Sequence, residues 1–157
     1  MSATPIPRSL TFAIYGEIDV SILREKPKGR KRIVTNLIST NKINKLLEGI
    51  KRKISQKEKV FWVLPEIGKP NEQNSEKETL ESRYLNLKKI FQNDLDFVHG
   101  KMSKELVNEK INAFKDGEIK ILLSTTVIEV GLDIPDATLI VIENANRFGL
   151  AQLHQLR

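Results

Sequence analysis

Residues 119–144, IKILLSTTVIEVGLDIPDATLIVIEN, contain two apolar runs, IKILLST and ATLIVIEN, joined by a loop that holds a glycine and a proline. Short apolar runs of this kind are typical of strands that are covered on both faces. A helical pattern precedes the first run, with Ser103 as its predicted N-cap and Gly117 at its predicted end. The succession of helix, strand, loop and strand predicts an α/β fold.

The same alternation extends back along the chain. IVTNLIS at residues 33–39 predicts a strand, and apolar residues at helical spacing predict a helix over residues 43–54. VFWVLPEI at residues 60–67 is another apolar run, helical spacing returns over residues 80–91, and residues 96–99 predict a short strand. Strands that alternate with helices predict a parallel sheet with helices on both faces.

In such a sheet the carboxyl ends of all strands meet at one edge, and the loops that follow them carry the chemistry. The predicted strands place four loops on this rim, namely residues 65–66, 99–101, 124–129 and 144–148. Each of these loops contains polar or charged residues. The sequence therefore predicts the functional site along this rim.

The composition is that of an ordinary globular protein. The chain has 157 residues, 39% hydrophobic and 29% charged, which suits one domain or one domain with a short appendage. It has no cysteine and 2 histidines, which excludes disulfides and cysteine nucleophiles and argues against a histidine metal site. No apolar run is long enough for a membrane span, and SATPIPRSL after Met1 lacks a signal-peptide pattern. We therefore expect a cytoplasmic protein with no membrane partner.

The net charge of +6 is concentrated in one part of the chain. Residues 24–59 contain 13 Lys or Arg and 3 acids, a local net of +10, so the remaining residues sum to −4. Such a concentration suits nucleic-acid phosphates, because each neutralised phosphate releases condensed counterions. The same residues equally fit the solvated face of an amphipathic helix. Charge alone leaves both interpretations open.

The loop that follows IKILLS carries residues suited to binding. Thr125 and Thr126 place two hydroxyls where a strand is predicted to turn into a helix, which suits a backbone phosphate. Gly131 permits close approach of a ligand, and Asp133 can accept a hydrogen bond from a ribose hydroxyl. An N-cap pair, a turn glycine and a surface acid would account for the same residues, so the loop alone does not decide between the two readings.

The motifs together resemble those of the RecG family of superfamily 2 DNA helicases. SATPIPRSL at residues 2–10 resembles motif III, VFWVLPEI resembles the motif IV strand, and STTVIEVGLDIP at residues 124–135 resembles motif V. YGEIDVSILREKPKGRKRI, from residue 15, resembles the stretch after motif III, and HGKM at residues 99–102 fits a segment between motifs IV and V. ENANRFGLAQLHQLR at residues 143–157 resembles the approach to motif VI. The resemblance covers essentially the whole chain.

This resemblance implies a domain organisation and a fold. Residues 1–31 would be a remnant of the first motor lobe and a connector. Residues 32–157 would be the second lobe, with a RecA-like parallel sheet that lacks a P-loop and is truncated at motif VI. The family uses ATP and Mg²⁺, and its partner is branched or single-stranded DNA.

The resemblance also implies a role for each matching residue. It implies coupling by Ser2, Thr4 and Gln155, nucleotide contact by Gly131 and Asp133, and DNA contact by His99, Lys101, Thr125, Thr126 and Arg147. Alternatives stay open for three of the matched positions. His99 also fits a capped histidine at a strand end, Gln155 a solvated helix residue, and Glu129 a buried acid paired with a base.

The chain departs from the family pattern in two places. None of its 8 glycines belongs to a GxxxxGK[S/T] loop, and no Asp-Glu pair is present for magnesium and water. The motif VI arginines would lie beyond Arg157. We therefore expect no ATP hydrolysis and no tight binding of ATP or Mg²⁺ by this chain alone.

The leading expectation is a lobe of a RecG-like helicase that acts on branched DNA in recombination and repair. The alternatives are a non-enzymatic DNA-binding module, a module that docks on a separately encoded first lobe, and a relic of a split gene.

Overall fold

A computed structural model describes residues 33–65, 80–125 and 137–156. These residues form α1 (Ile43–Ser55), β1 (Lys59–Leu64), α2 (Leu80–Phe91), β2 (Leu95–Val98), α3 (Lys104–Asp116), β3 (Ile121–Thr125), β4 (Ala137–Ile142) and α4 (Leu150–Leu156). Short 3-10 turns lie at Thr40–Lys42, Gln92–Asp94 and Ala145–Arg147. Among the described helices, none has the length and apolar character needed to cross a membrane.

The chain divides into two units. The first, Ile38–Phe148, contains the sheet with α1, α2 and α3. The second combines Met1–Leu37 with Gly149–Arg157, and α4 is its described helix. The domain boundary expected after residue 31 stays a prediction.

The four strands form one sheet in the order β2-β3-β1-β4. All three ladders are parallel, and Ser124 of β3 lies opposite Val98 of β2 on one side and Val63 of β1 on the other. On the far side of β1, Val63 lies opposite Ile142 of β4. The predicted parallel α/β fold is therefore confirmed.

One face of the sheet is covered by α1 and α2. Trp62, Ile121 and Leu123 are fully buried there. Ile121 and Leu123 share this face because alternate side chains of a strand point to the same side. They form a core cluster with Ile50 of α1 and Leu87 of α2. The helical spacing of apolar residues that predicted both helices is the pattern that fills this core.

The other face is covered by α3. Leu122, which lies between two residues of the first core in the strand, packs here with Ile111 and Phe114. The ring of Phe61 meets that of Phe114 edge-on, with centroids 4.8 Å apart. Helices on both faces are thus confirmed for the described sheet.

Both predicted ends of α3 are confirmed. The Ser103 side chain accepts a hydrogen bond from Leu106 N, and Gly117 ends the helix in the left-handed region with φ of 82°. The sequence did not predict a further contact at this end. Lys59 is only 6% exposed, and its Nζ donates to the Lys115 carbonyl at 2.6 Å. A cation is favourable there because the last carbonyls of a helix carry partial negative charge.

The strand predicted at residues 33–39 is wrong. These residues take no part in the described sheet, and Val34 and Leu37 are 75% and 97% exposed. An apolar run forms a strand only where neighbours pair its backbone groups and cover its side chains. The described residues provide neither for this run.

The prediction that both faces of β4 are buried is also wrong. β4 lies at the edge of the described sheet, and its first four residues alternate between half-buried and exposed. Ile140 is 38% exposed. An edge strand has a neighbour on one side only, so fewer side chains cover it than cover a central strand.

Candidate nucleic-acid interface at the carboxyl edge of the sheet

The parallel sheet brings the ends of all four strands to one side, which we call the carboxyl edge. His99 follows β2, Thr125 ends β3, Pro65 follows β1 and Glu143 follows β4. The register places them in that spatial order. The described parts of the four predicted rim loops therefore start from the same edge.

The predicted site residues are only partly described. Lys101 and Arg147 belong to loops that leave the carboxyl edge, as do His99 and Thr125, whereas Gln155 is an exposed residue of α4 in the second unit. Several residues fall outside the described part of the chain, namely Ser2, Thr4, Thr126, Gly131, Asp133 and, among those singled out earlier, Glu66 and Glu129.

His99 is held by its own loop. Its Nδ1 accepts a hydrogen bond from the backbone N–H of Lys101 at 3.2 Å. An imidazole that accepts at Nδ1 carries the proton of its neutral form on Nε2, which makes Nε2 a donor. The contact is the strand-end cap considered above, and it also orients a donor that suits a phosphate oxygen. The two interpretations of His99 are therefore compatible.

A row of aromatic rings supports His99. The His99 ring lies 5.9 Å from that of Phe97, and Phe97 lies 4.6 Å from Tyr84 of α2. Phe97 and His99 share one face because they are two residues apart along the strand direction. That spacing was a signal in the sequence, whereas the contact with Tyr84 is tertiary and left no local signal.

Two lysines lie over this row. Lys88 Nζ donates to the Tyr84 hydroxyl at 2.8 Å, and this hydrogen bond raises the pKa of Lys88 above its ordinary value. Lys110 Nζ lies 5.2 Å from the Phe97 ring centroid and pairs with Asp96 at 2.6 Å. Lys88 is thus an exposed positive charge close to the row, while Asp96 offsets the charge of Lys110.

Thr125 is the last residue of β3 and is half-buried, next to the buried Ser124. It lies opposite Leu64, the last residue of β1. The hydroxyl therefore sits where β3 leaves the sheet, in the position at which ligands of open α/β sheets bind. Thr125 is central on the edge because β3 is an inner strand.

Arg147 stands on the 3-10 turn Ala145–Arg147, which follows β4. Its N–H donates to the Asn144 carbonyl at 2.9 Å, and its side chain is exposed. The turn ends at Phe148, which is only 7% exposed. A charged residue is thus presented to solvent on a short, hydrogen-bonded turn.

The carboxylate of Glu143 precedes this turn and was not identified from the sequence. Its Oε2 accepts from Trp62 Nε1 at 2.9 Å, and its Oε1 accepts from an Nη2 hydrogen of Arg83. The three residues are far apart in the chain, so only the folded structure brings them together.

The basic residues of α1 form a separate surface on the helix side that faces solvent. Lys45, Lys51, Arg52 and Lys53 are exposed, while Ile50 is buried in the core. Beside them lies a shallow groove of about 410 Å³, lined by Ile38, Lys42, Lys45, Leu46, Gly49, Ile50, Lys53 and Leu139. The structure confirms the amphipathic helix, and its exposed cations remain available to phosphates.

No group of three or more His, Asp or Glu side chains in residues 33–65, 80–125 and 137–156 could hold a metal ion. These residues therefore provide no observation that fits Mg²⁺. The described site offers hydrogen-bond donors, hydroxyls and positive charges, which suit the phosphate backbone of a nucleic acid.

Comparisons with known proteins show which proteins the chain is similar to. The helicase conserved C-terminal domain matches residues 41–157. The ATP-dependent DNA helicase RecG of Thermotoga maritima is 41% identical over 157 residues, which is 100% of this chain and 20% of that protein. RecG of Aquifex aeolicus is 43% identical over 159 residues, again 100% of this chain and 20% of that protein. The chain spans about a fifth of the length of these curated relatives.

Solved structures show the same relationship. A structure of RecG bound to a three-way DNA junction matches 99% of this chain and 20% of its own, with a TM-score of 0.76 and 41% identity. A variant of S. cerevisiae Dbp5 bound to RNA and ADP BeF3 matches 69% of this chain and 26% of its own, with a TM-score of 0.50 and 18% identity. The second likeness concerns the fold alone. Together they confirm the predicted RecA-like fold and the resemblance to RecG.

Proposed function

The chain belongs to the family of conserved helicase C-terminal domains, and on that premise we propose that it forms the second motor lobe of a RecG-like, ATP-dependent helicase acting on branched DNA in recombination and repair. In this role the carboxyl edge contacts the DNA backbone. The curated relatives named above are ATP-dependent DNA helicases, and one of the matching structures holds a three-way DNA junction.

The observation that carries the proposal is the position of His99 and Thr125 on neighbouring strands of one edge. An imidazole N–H and a hydroxyl donate to phosphate oxygens without reading the base sequence. Lys101 and Arg147, on loops from the same edge, add the positive charge that backbone binding needs. Such contacts suit a motor, because a lobe that moves along DNA must bind every sequence alike.

The nucleotide side of the proposal concerns residues that, apart from Gln155, lie outside the described part of the chain. Gly131 and Asp133 match the family positions that would face a nucleotide held between two lobes, with Ser2, Thr4 and Gln155 coupling that site to DNA. Bound ATP and Mg²⁺ would supply the phosphoryl transfer that drives movement. Apart from Gln155, the described site residues act on the DNA side, by binding and orienting its backbone. The cytoplasmic location expected from the sequence is part of the same proposal.

A second candidate is a non-enzymatic module that binds DNA or docks on a separately encoded first lobe. The exposed cations of α1 favour DNA binding, since they face solvent and do not need a nucleotide. The two candidates differ in one measurable property. A motor lobe makes ATP hydrolysis depend on DNA when it is joined to a first lobe, and a binding module does not.

A chimera tests this difference. The matching segment of Thermotoga maritima RecG is replaced by residues 1–157 of this chain, and ATP hydrolysis is measured with and without a three-way junction. The proposal expects DNA-stimulated hydrolysis that Thr125→Ala with Thr126→Ala removes. A folded chimera that binds ATP but shows no DNA stimulation would contradict it.

A further inference from the structure

Glu143 joins three elements at the point where the chain leaves the sheet. Its carboxylate accepts hydrogen bonds from Trp62 of β1 and Arg83 of α2. Its backbone N–H donates to the Val63 carbonyl at 2.9 Å, which extends the contact between β1 and β4 by one residue. Trp62 is fully buried, and the side chains of Arg83 and Glu143 are 16% and 12% exposed.

The chain beyond Glu143 has little freedom. Asn144 is in the left-handed region, with φ of 49° and ψ of 48°, and the 3-10 turn that carries Arg147 follows directly. Phe148 closes the turn as a buried residue, and its N–H donates to the Ala145 carbonyl at 3.2 Å. The turn that presents Arg147 is therefore anchored at both ends, by a carboxylate before it and a ring after it.

A buried ion pair adds little to the free energy of unfolding. Removing two charges from water offsets most of their attraction, and apolar residues of similar size are often at least as stabilising. The geometry of this pair is specific, however, because each carboxylate oxygen is aimed at a different donor. An interaction that adds little stability but fixes direction suits the control of position.

We propose that Arg83, Glu143 and Trp62 form a positioning triad that holds the Arg147 turn at the carboxyl edge and so sets its contact with DNA phosphates. The inference rests on the proposed function, since it assigns Arg147 a phosphate. The triad residues themselves need not touch DNA. They act through Arg147, and α2 and β1 transmit their position to it.

The salt dependence of binding to a three-way junction tests this inference. Each phosphate contact contributes about 0.9 to the slope of log K against log salt concentration for B-DNA. Arg147→Ala should lower the slope by about that amount. Arg83→Met with Glu143→Leu removes both charges of this pair together, so the chain should stay folded and lose the same part of the slope. The triple variant should lose no more than Arg147→Ala alone.

Two results on the triad and triple variants would overturn the inference. One is a wild-type slope for Arg83→Met with Glu143→Leu, and the other is a further loss in the triple variant. Glu58→Gln is the matched control, because Glu58 pairs with Lys53 at 2.8 Å beside the start of β1, away from the carboxyl edge. Its slope should equal that of wild type, and an equal loss there would also overturn the inference.

Hydrogen exchange separates this inference from the proposed function. The amides of Arg147 and Phe148 should exchange faster in the apolar double variant and in Trp62→Phe, which removes the indole donor together with part of the buried ring. The Val107 amide, which donates to Ser103 O at 3.0 Å in α3, should be unchanged. Unchanged exchange at Arg147 overturns the positioning role. Faster exchange in a chain whose wild type binds no DNA retains the positioning role and rejects the proposed function.

Discussion

Val98 on β2 and Ser124 on β3 are paired in register in the parallel sheet, so the residues that follow them, His99 and Thr125, leave neighbouring strands at the same edge. Separately, each is an ordinary residue at a strand end. Together, they bring an oriented imidazole N–H and a hydroxyl to one edge from neighbouring strands, with Lys101 two residues beyond His99. This juxtaposition is the structural basis for a DNA-backbone contact.

His99→Ala should weaken binding to DNA roughly tenfold, because a hydrogen bond to a charged phosphate is lost. Fluorescence anisotropy with a labelled three-way junction measures the change. His154→Ala provides the control, since His154 is the other histidine of the sequence and is exposed on α4. Equal affinities for His99→Ala and wild type would show that the ring only caps its strand.

Replacement of glycine by alanine should change the free energy of unfolding in opposite directions at Gly117 and Gly49. Gly117→Ala should destabilise the chain by about 1 kcal/mol, because φ of 82° is unfavourable for a side chain. The added Cβ would lie 3.6 Å from Lys120 Nζ, an ordinary contact, so the cost comes from the backbone. Gly49→Ala in α1 meets nothing within 4 Å and should stabilise by about 0.5–1 kcal/mol. Urea unfolding followed by circular dichroism measures both, and the same sign for the two would refute the explanation.

Lys59→Met should destabilise the chain by about 1 kcal/mol, since the methionine fills similar space but no longer donates to the Lys115 carbonyl. The emission of Trp62, the one tryptophan of the sequence, follows unfolding in urea. Lys51→Met on the exposed side of α1 is the matched control and should cost much less. Equal free energies of unfolding for the two variants would show that the buried lysine does not stabilise the end of α3.

The purified chain should hydrolyse no ATP, with or without DNA, because its sequence contains no GxxxxGK[S/T] loop. A phosphate-release assay on protein freed of contaminating helicases measures this. DNA-dependent hydrolysis that disappears in Asp133→Ala would contradict the prediction, since it would place a complete nucleotide site in this chain.

The features predicted correctly from the sequence depend on local signals. Ser103 and Gly117 bound α3 because capping and left-handed termination are properties of a few consecutive residues. The apolar spacing of α1 and α2 likewise predicted which sides face the core. The order of these elements then predicted a parallel sheet, and with it the shared edge for His99 and Thr125.

The features that were missed or wrong depend on residues distant in the sequence. Trp62, Arg83 and Glu143 meet only after three separate elements have packed, and no local pattern marks such a contact. Residues 33–39 have the composition of a strand but lack a described partner, and β4 was expected to be buried although it forms an edge of the described sheet. The composition of a segment shows that it can form a buried strand. Its neighbours in the fold decide whether it does.

The central claim is that the carboxyl edge contacts the DNA backbone, and the most direct test is equilibrium binding of the purified chain to a three-way junction at two salt concentrations. The wild type should bind at low salt, and its affinity should fall steeply as the salt concentration rises. The double variant, Thr125→Ala with Thr126→Ala, should have a much lower affinity. Thr138→Ala, near the start of β4, should bind like wild type. A folded chain that binds no DNA at low salt, or equal binding by the double variant, would contradict the account.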